Sequence, residues 1–189
     1  MRYTDDASTK FYELFWPHRD AVLRTARFLM RNPIDADDLA QDTMLKAFRA
    51  MDQFQPGTDA RAWLLSILRN ARIDRLRSAA NRMDVSLDQL TFEPGQSADV
   101  ERVKTEDELA DAAALLEQFA DVEVIEALQA LPEEMRWTLL LVDVEGLDFA
   151  TAAEILNVPV GTVKSRAHRG RAMLKEKLLG KAKEYRLIR

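Results

Sequence analysis

Apolar residues recur at helical spacing along most of this chain. Between Ser8 and Met30, the residues Phe11, Leu14, Phe15, Val22, Leu23, Ala26, Leu29 and Met30 fall on the three-and-four rhythm of a helix face. Pro17 interrupts them. Its ring removes an amide donor and crowds the preceding turn, which predicts a kink or a split. Asn32-Pro33 marks a turn, after which Asp35 is placed to cap a second helix, with Asp37 and Asp38 in the first turn where the helix dipole favours acids. That helix is expected to reach about Gln53. Gln55-Pro56-Gly57-Thr58 is a second turn, and Asp59 can cap a third helix running to about Arg82.

The rhythm stops after Met83. Residues Asp84 to Asp121 are rich in Ser, Asp, Gln and Glu and contain Pro94-Gly95, with room for one helix near Asp107–Phe119. A connection of this length joins domains more readily than it crosses one. The pattern resumes with Val122, Val124, Ile125, Leu128 and Leu131, stops at Pro132, and restarts from Glu133-Glu134 through Trp137, Leu139, Leu140, Leu141 and Val142. A short helix is expected from Asp148 to Leu156, then the turn Asn157-Val158-Pro159, then a last helix from Val160 to about Leu179. Alternating β-type runs are absent, and six Gly and six Pro leave few breaks. The expected fold is all-α. Two small helical domains, 1–83 and 122–189, are joined by an acidic linker at 84–121, and the second contains a helix-turn-helix.

Composition narrows the chemistry. Of 189 residues 47% are hydrophobic, enough to build a core. Cysteine is absent, so thiolate metal sites, thiol nucleophiles and disulfides are excluded together. With only His18 and His168, a histidine metal centre or a Ser–His–Asp triad has little to draw on. No catalytic residue, metal or cofactor is expected. Neither a membrane-spanning run nor a signal peptide is visible, so a cytoplasmic protein without membrane insertion is expected. The net charge of −5 hides an asymmetry. Residues 1–83 hold 14 bases against 11 acids, residues 84–154 hold 3 against 19, and residues 155–189 hold 10 against 2. Two basic blocks around an acidic one fit two contacts with a polyanion, or simply solvated charge.

The tail is the more specific of the two. From Phe149 to His168 the sequence has a helix-turn-helix layout: small Ala152 and Ala153 where two helices cross, and apolar Val158 inside the turn. On the last helix Val163, Ala167, Gly170 and Leu174 face inward. The opposite face carries Lys164, Ser165, His168, Arg169 and Arg171, with no acid before Glu176. Such a face suits a major groove, its first turns meeting base edges and its arginines meeting phosphates.

In the second helix, Leu39, Ala40, Met44, Ala47, Phe48 and Met51 are assigned to the core. Asp38, Gln41, Asp42, Leu45 and Arg49 form a separate stripe, read either as a protein-docking face with one apolar anchor or as a solvated face with an incidental leucine. The third helix packs through Trp63, Leu64, Ile67, Leu68, Ala71 and Ile73. It displays Arg61, Arg69, Arg72, Arg75, Arg77 and Arg82 against the single acid Asp74. These arginines are either a solvated basic face or a set of phosphate forks. Phe54, just before the turn, is either a core ring or a base-stacking one.

Together these stretches resemble an extracytoplasmic-function (group IV) sigma factor of bacterial RNA polymerase. The resemblance rests on Asp35-Ala-Asp-Asp-Leu-Ala-Gln-Asp42, the run from Phe54 to Arg75, Leu131-Pro-Glu-Glu-Met135, Asp143-Val-Glu-Gly146 and Val160-Gly-Thr-Val-Lys-Ser-Arg166. It implies that the helix carrying Asp38, Gln41, Asp42, Leu45 and Arg49 docks on the clamp helices of the largest subunit of core RNA polymerase. It implies that the third helix, with Phe54, Arg61, Arg69, Asn70 and Arg77, binds and melts the downstream promoter element, one flipped base meeting Phe54 and Asn70. Lys164, Ser165, Arg166, His168, Arg169 and Arg171 become contacts to the upstream element. The acidic linker would pass near the RNA exit path, and an anti-sigma factor is an expected partner. A plain helix-turn-helix repressor would leave the Leu45 stripe unexplained. A bundle enzyme using Asp37 and Asp38 would lack a Glu-x-x-His partner.

Overall fold

The computed structural model describes residues 3–82 and 121–184, every one of them helix, turn or connecting segment. The chain divides into two compact units between Pro94 and Gly95, a point outside the described residues. The possible helix at Asp107–Phe119 and most of the linker also lie outside them.

In the first unit, α1 (Tyr3–Leu14) is separated from α2 (Arg19–Leu29) by a single 3-10 turn, Trp16–His18. Pro17 sits in that turn, where its missing amide costs nothing. The next helix, α3 (Pro33–Ala50), starts earlier than expected. Asn32, and not Asp35, is its cap: Asn32 Oδ1 accepts from the Ile34 amide at 3.0 Å, and Pro33 occupies the first helical position. A 3-10 turn, Met51–Gln53, closes it. For α4 (Ala60–Arg82) the expected cap holds, with Asp59 Oδ1 accepting from the amides of Arg61 and Ala62 at 2.8 and 3.1 Å. The helices bury Phe15, Val22, Ala26, Leu39, Ala47, Leu64, Leu65 and Leu68 against one another. Thr43 lies in that core and satisfies its hydroxyl by donating to the Leu39 carbonyl at 2.8 Å.

The second unit has α5 (Asp121–Gln129), α6 (Glu133–Leu139), α7 (Phe149–Leu156) and α8 (Val160–Glu184). One π turn, Leu140–Val144, extends α6, and Gly146 leaves it at φ +66°, a conformation natural to glycine. The backbone of α8 runs beyond the expected Leu179. Arg136 ties α5 to α6. Its Nε donates to the Leu128 carbonyl at 3.0 Å, and Nη2 donates to those of Gln129 and Leu131 at 2.6 and 2.8 Å. One guanidinium thus caps the orphan carbonyls at the end of α5. Among the described residues no helix is long and apolar enough to cross a membrane.

Asp148 caps α7 through Oδ1, which accepts from the amides of Ala150 and Thr151, while Oδ2 accepts from the Thr151 hydroxyl at 2.8 Å. The Thr151 amide, then its hydroxyl, hold this carboxyl below its ordinary value of 3.8. At the other end of α7, Asn157 takes the left-handed conformation (φ 53°, ψ 49°), and the Val158 amide reaches back to the Ala153 carbonyl at 3.1 Å. That geometry turns the chain into α8.

Two predictions follow from these caps. Arg136→Ala should lower unfolding stability by about 2–3 kcal/mol in urea titrations, and Arg136→Lys should recover only part, because an ammonium cannot span three carbonyls. An unchanged midpoint would mean that water serves those carbonyls equally well. The second concerns pH. A carboxyl held below its ordinary pKa contributes stability in full above that value and loses it as the pH falls through the folded one. The thermal midpoint of Asp148→Ala should therefore lie below the parent's at neutral pH, with the gap closing below pH 3.8. A gap that stays constant down to about pH 2 would contradict charge as its source.

Candidate nucleic-acid interface

The helix-turn-helix is built as its residue sizes require. Ala152, Ala153, Ile155 and Leu156 are buried on α7, and Val163, Ala167, Leu174 and Leu178 on α8. Gly170 is the closest point: a Cβ there would stand 3.2 Å from Leu139. Such packing leaves Lys164, Ser165, His168 and Arg169 exposed on one side of α8, as expected. Ser165 donates to the Thr162 carbonyl at 3.0 Å, which leaves its oxygen facing out as an acceptor. The Lys164 ammonium lies 5.9 Å from the Phe149 ring centroid, so the start of α7 and the first turns of α8 share this surface.

Two expected members of the set are turned elsewhere. Arg166 is only 3% exposed, and its Nη2 meets Glu134 Oε2 at 2.9 Å. It falls three residues after Val163 and four before Gly170, on the inward stripe itself. Its aliphatic stem is core and its fork reaches the first turn of α6. Arg171 is half-buried and gives two bonds to Asp143, Nη2 to Oδ1 at 2.6 Å and Nε to Oδ2 at 3.0 Å, which commits its fork within the protein.

On the first unit, Asn70 and Arg77 are exposed on α4, with Arg61 and Arg69 half-exposed beside them. Phe54 is not a free stacking platform. It is 9% exposed and packs edge-on against Phe15 and Trp63, with ring centroids 5.1 and 5.3 Å away. Phe15 and Trp63 complete the triangle at 5.0 Å. The three rings fix the loop before α4 onto the turn after α1 and onto α4, so Phe54 shapes the start of the arginine-bearing helix.

The α3 stripe is presented to solvent. Asp38, Gln41, Leu45 and Arg49 are exposed, Leu45 at 55%. Asp42 is half-buried. Its Oδ2 and that of Asp74 lie 3.6 and 3.2 Å from the Lys46 ammonium, a network that joins α3 to α4. Phe48, assigned to the core by its apolarity, is 41% exposed and continues this stripe one turn after Leu45. The sequence held that signal, since 38, 41, 45 and 48 follow the same three-and-four spacing.

This arrangement has known counterparts. Residues 14–82 match the model of Sigma-70 region 2, and residues 121–174 that of Sigma-70, region 4. The ECF RNA polymerase sigma factor SigE of Mycolicibacterium smegmatis is 35% identical over 88% of this chain, which spans 60% of that protein's length. SigM of Mycobacterium tuberculosis is 35% identical over 90% of this chain and 77% of its own. Among solved structures, the sigma factor RpoE of Bartonella quintana, determined with the anti-sigma factor NepR, is 25% identical. It aligns over 89% of this chain and 96% of its own with a TM-score of 0.68. CnrH, determined with the cytosolic domain of CnrY, is 27% identical over 94% of each chain, with a TM-score of 0.62. Two region models in the expected order, and a relative matched over most of its length, establish that the chain belongs to the extracytoplasmic-function sigma factors of RNA polymerase.

Proposed function

We propose that this chain directs core RNA polymerase to a specific class of promoters and helps to open them. Residues 1–83 dock on the polymerase and hold the downstream element, residues 122–189 read the upstream element, and the acidic 84–121 connects them within the polymerase. The observation that carries this reading is the acid-free exposed face Lys164, Ser165, His168 and Arg169, set at the start of α8 by the α7–turn–α8 crossing. A recognition helix enters the major groove by those turns.

In this reading, Lys164, Ser165 and His168 meet base edges and Arg169 meets phosphate. Asn70, an exposed amide amid arginines, pairs with the edge of an unstacked base, while Arg61, Arg69 and Arg77 hold backbone. Opening the duplex costs a few kcal/mol per unstacked step, which those single-strand contacts offset. The clamp helices of the largest polymerase subunit take the stripe Asp38, Gln41, Leu45 and Arg49, to which Phe48 is added. The protein contributes binding and leaves RNA synthesis to the polymerase, with which it resides in the cytoplasm. By similarity to RpoE of Bartonella quintana, caught with NepR, an anti-sigma factor is its proposed regulator.

Run-off transcription with core polymerase on a randomised promoter library tests the reading. Starts should cluster at sites sharing two separated elements, and a start pattern identical to that of core polymerase alone would refute it. At residue level, Arg169→Ala should weaken promoter binding of the assembled complex about five- to tenfold and lower the slope of log affinity against log salt by about one, with no loss of fold stability. Arg166→Ala should behave oppositely. The salt slope should hold while the unfolding free energy drops about 1–3 kcal/mol, since Glu134 loses its partner and the core loses a stem. A reduced slope in Arg166→Ala would return that residue to the DNA face.

A further inference from the structure

One apolar side chain stands at the tip of the cationic face of α8. Val160 is the first residue of that helix and is 39% exposed, the one large exposed hydrophobic of the second unit among the described residues. It lies one turn before Lys164 on the same flank of the helix. Its backbone is fixed, because the Pro159 carbonyl accepts from the Thr162 and Val163 amides at 2.9 and 3.2 Å and so closes the first turn. Its side chain is stiff as well, since a β-branched residue in a helix has one strongly preferred rotamer. Beside it, Gly161 is a glycine that the fold does not call for. It is not among the glycines with positive φ, and a Cβ there would meet nothing within 4 Å. In a helix such a glycine costs stability relative to alanine. A close approach by something outside the chain accounts for it.

We propose that the first turn of α8 reads a thymine by its C5 methyl group. Val160 packs on the methyl, and Gly161 lets the backbone enter the major groove far enough for that contact. This role rests on the reading of α8 as the helix that meets the upstream element, and adds to it the chemistry of one base pair. The first residues of a recognition helix are the ones that reach base edges. In the major groove only a pair containing thymine presents a methyl, and an apolar side chain is what recognises it. Val160 can form no side-chain hydrogen bond, so a phosphate or a purine edge offers it nothing, whereas a methyl lets both apolar surfaces leave water together. A lone valine beside a lysine and a glycine is too small an apolar area for the core of a protein interface. Lys164 shares this surface and donates to the acceptors of a neighbouring guanine. The upstream element therefore holds a thymine beside the pair that Lys164 contacts.

The test uses the full chain assembled with core polymerase on a promoter recovered by the run-off selection. Each thymine of the upstream element, on either strand, is replaced in turn by deoxyuridine, which removes the methyl and keeps the pairing. The parent complex should lose about fourfold in affinity at one position. Val160→Ala should bind the unmodified promoter about fourfold more weakly and be indifferent to deoxyuridine at that same position. Gly161→Ala should raise the thermal midpoint of the free protein while weakening promoter binding about tenfold. An upstream element without thymine overturns the methyl contact, as does a parent complex insensitive to every replacement. A deoxyuridine penalty that survives in Val160→Ala assigns the methyl to another residue and overturns it too. Gly161→Ala binding as tightly as the parent removes the close approach. In all these outcomes promoter binding persists and the function proposed above stands. If the complex selects no promoter, that function fails and the methyl contact with it.

Discussion

A long helix lays out its side chains by rotation alone, so whatever sets its phase decides which residues meet a partner. In the second unit the phase of α8 is set by Gly170 against Leu139 and by Arg166 reaching Glu134. The first is a contact with no room for a methyl group unless Leu139 yields. The second is a charge taken out of water, which is tolerable only when paired. A rotation of even one residue, about 100°, would drive a side chain into Leu139 and leave the Arg166 guanidinium without its carboxylate. Lys164, Ser165, His168 and Arg169 face outward because the other side of the helix has no alternative.

The same logic governs the first unit with different materials. There the aromatic triangle of Phe15, Phe54 and Trp63 joins the turn after α1, the loop before α4 and α4 itself. Rings pack with preferred angles, so three mutually touching ones restrict the helices more than aliphatic contacts of equal area would. Because α4 is held from its first turn, Asn70 and the arginines are displayed from a rigid base, which the proposed capture of an unstacked base requires, since such a base gains nothing from a mobile amide.

Much of this was legible in the sequence, and each exception has its own physical cause. Helix positions followed from apolar spacing, and Asp59, Asp148 and Asn157-Val158-Pro159 marked their ends because caps and turns are local chemistry. The family resemblance implies a DNA contact for Arg166, although its position is on the inward stripe and its long stem lies in the core. Phe48 was placed inside for its apolarity, although its spacing continues the Leu45 stripe. Phe54 had two open readings that a long-range neighbour separates, since Phe15 lies far back in the chain and packs on it together with Trp63. The Arg171–Asp143 pair likewise spans 28 positions and leaves no local trace. Asn32 displaced Asp35 as a cap because Pro33 suits the first helical position, which lets the helix begin three residues earlier than an Asp35 cap would.

One electrostatic consequence follows for how these parts act together. A protein with net charge −5 is repelled as a whole by DNA, yet it carries a cationic face. Screening reconciles the two. At physiological salt, charges beyond about 8 Å are largely hidden from one another, so in the proposed complex the α8 face acts on a phosphate at contact while the distant acids contribute little. At longer range the overall negative charge gives no steering toward DNA. Such a chain gains little by searching for promoters alone. Its contacts become effective once an interface independent of DNA charge has brought the polymerase, and with it the duplex, within reach. Under the proposed function, that puts the uncharged anchors Leu45 and Phe48 first in the order of events: docking by apolar burial, then short-range reading by Lys164, Ser165, His168 and Arg169, then capture of opened bases beside Asn70.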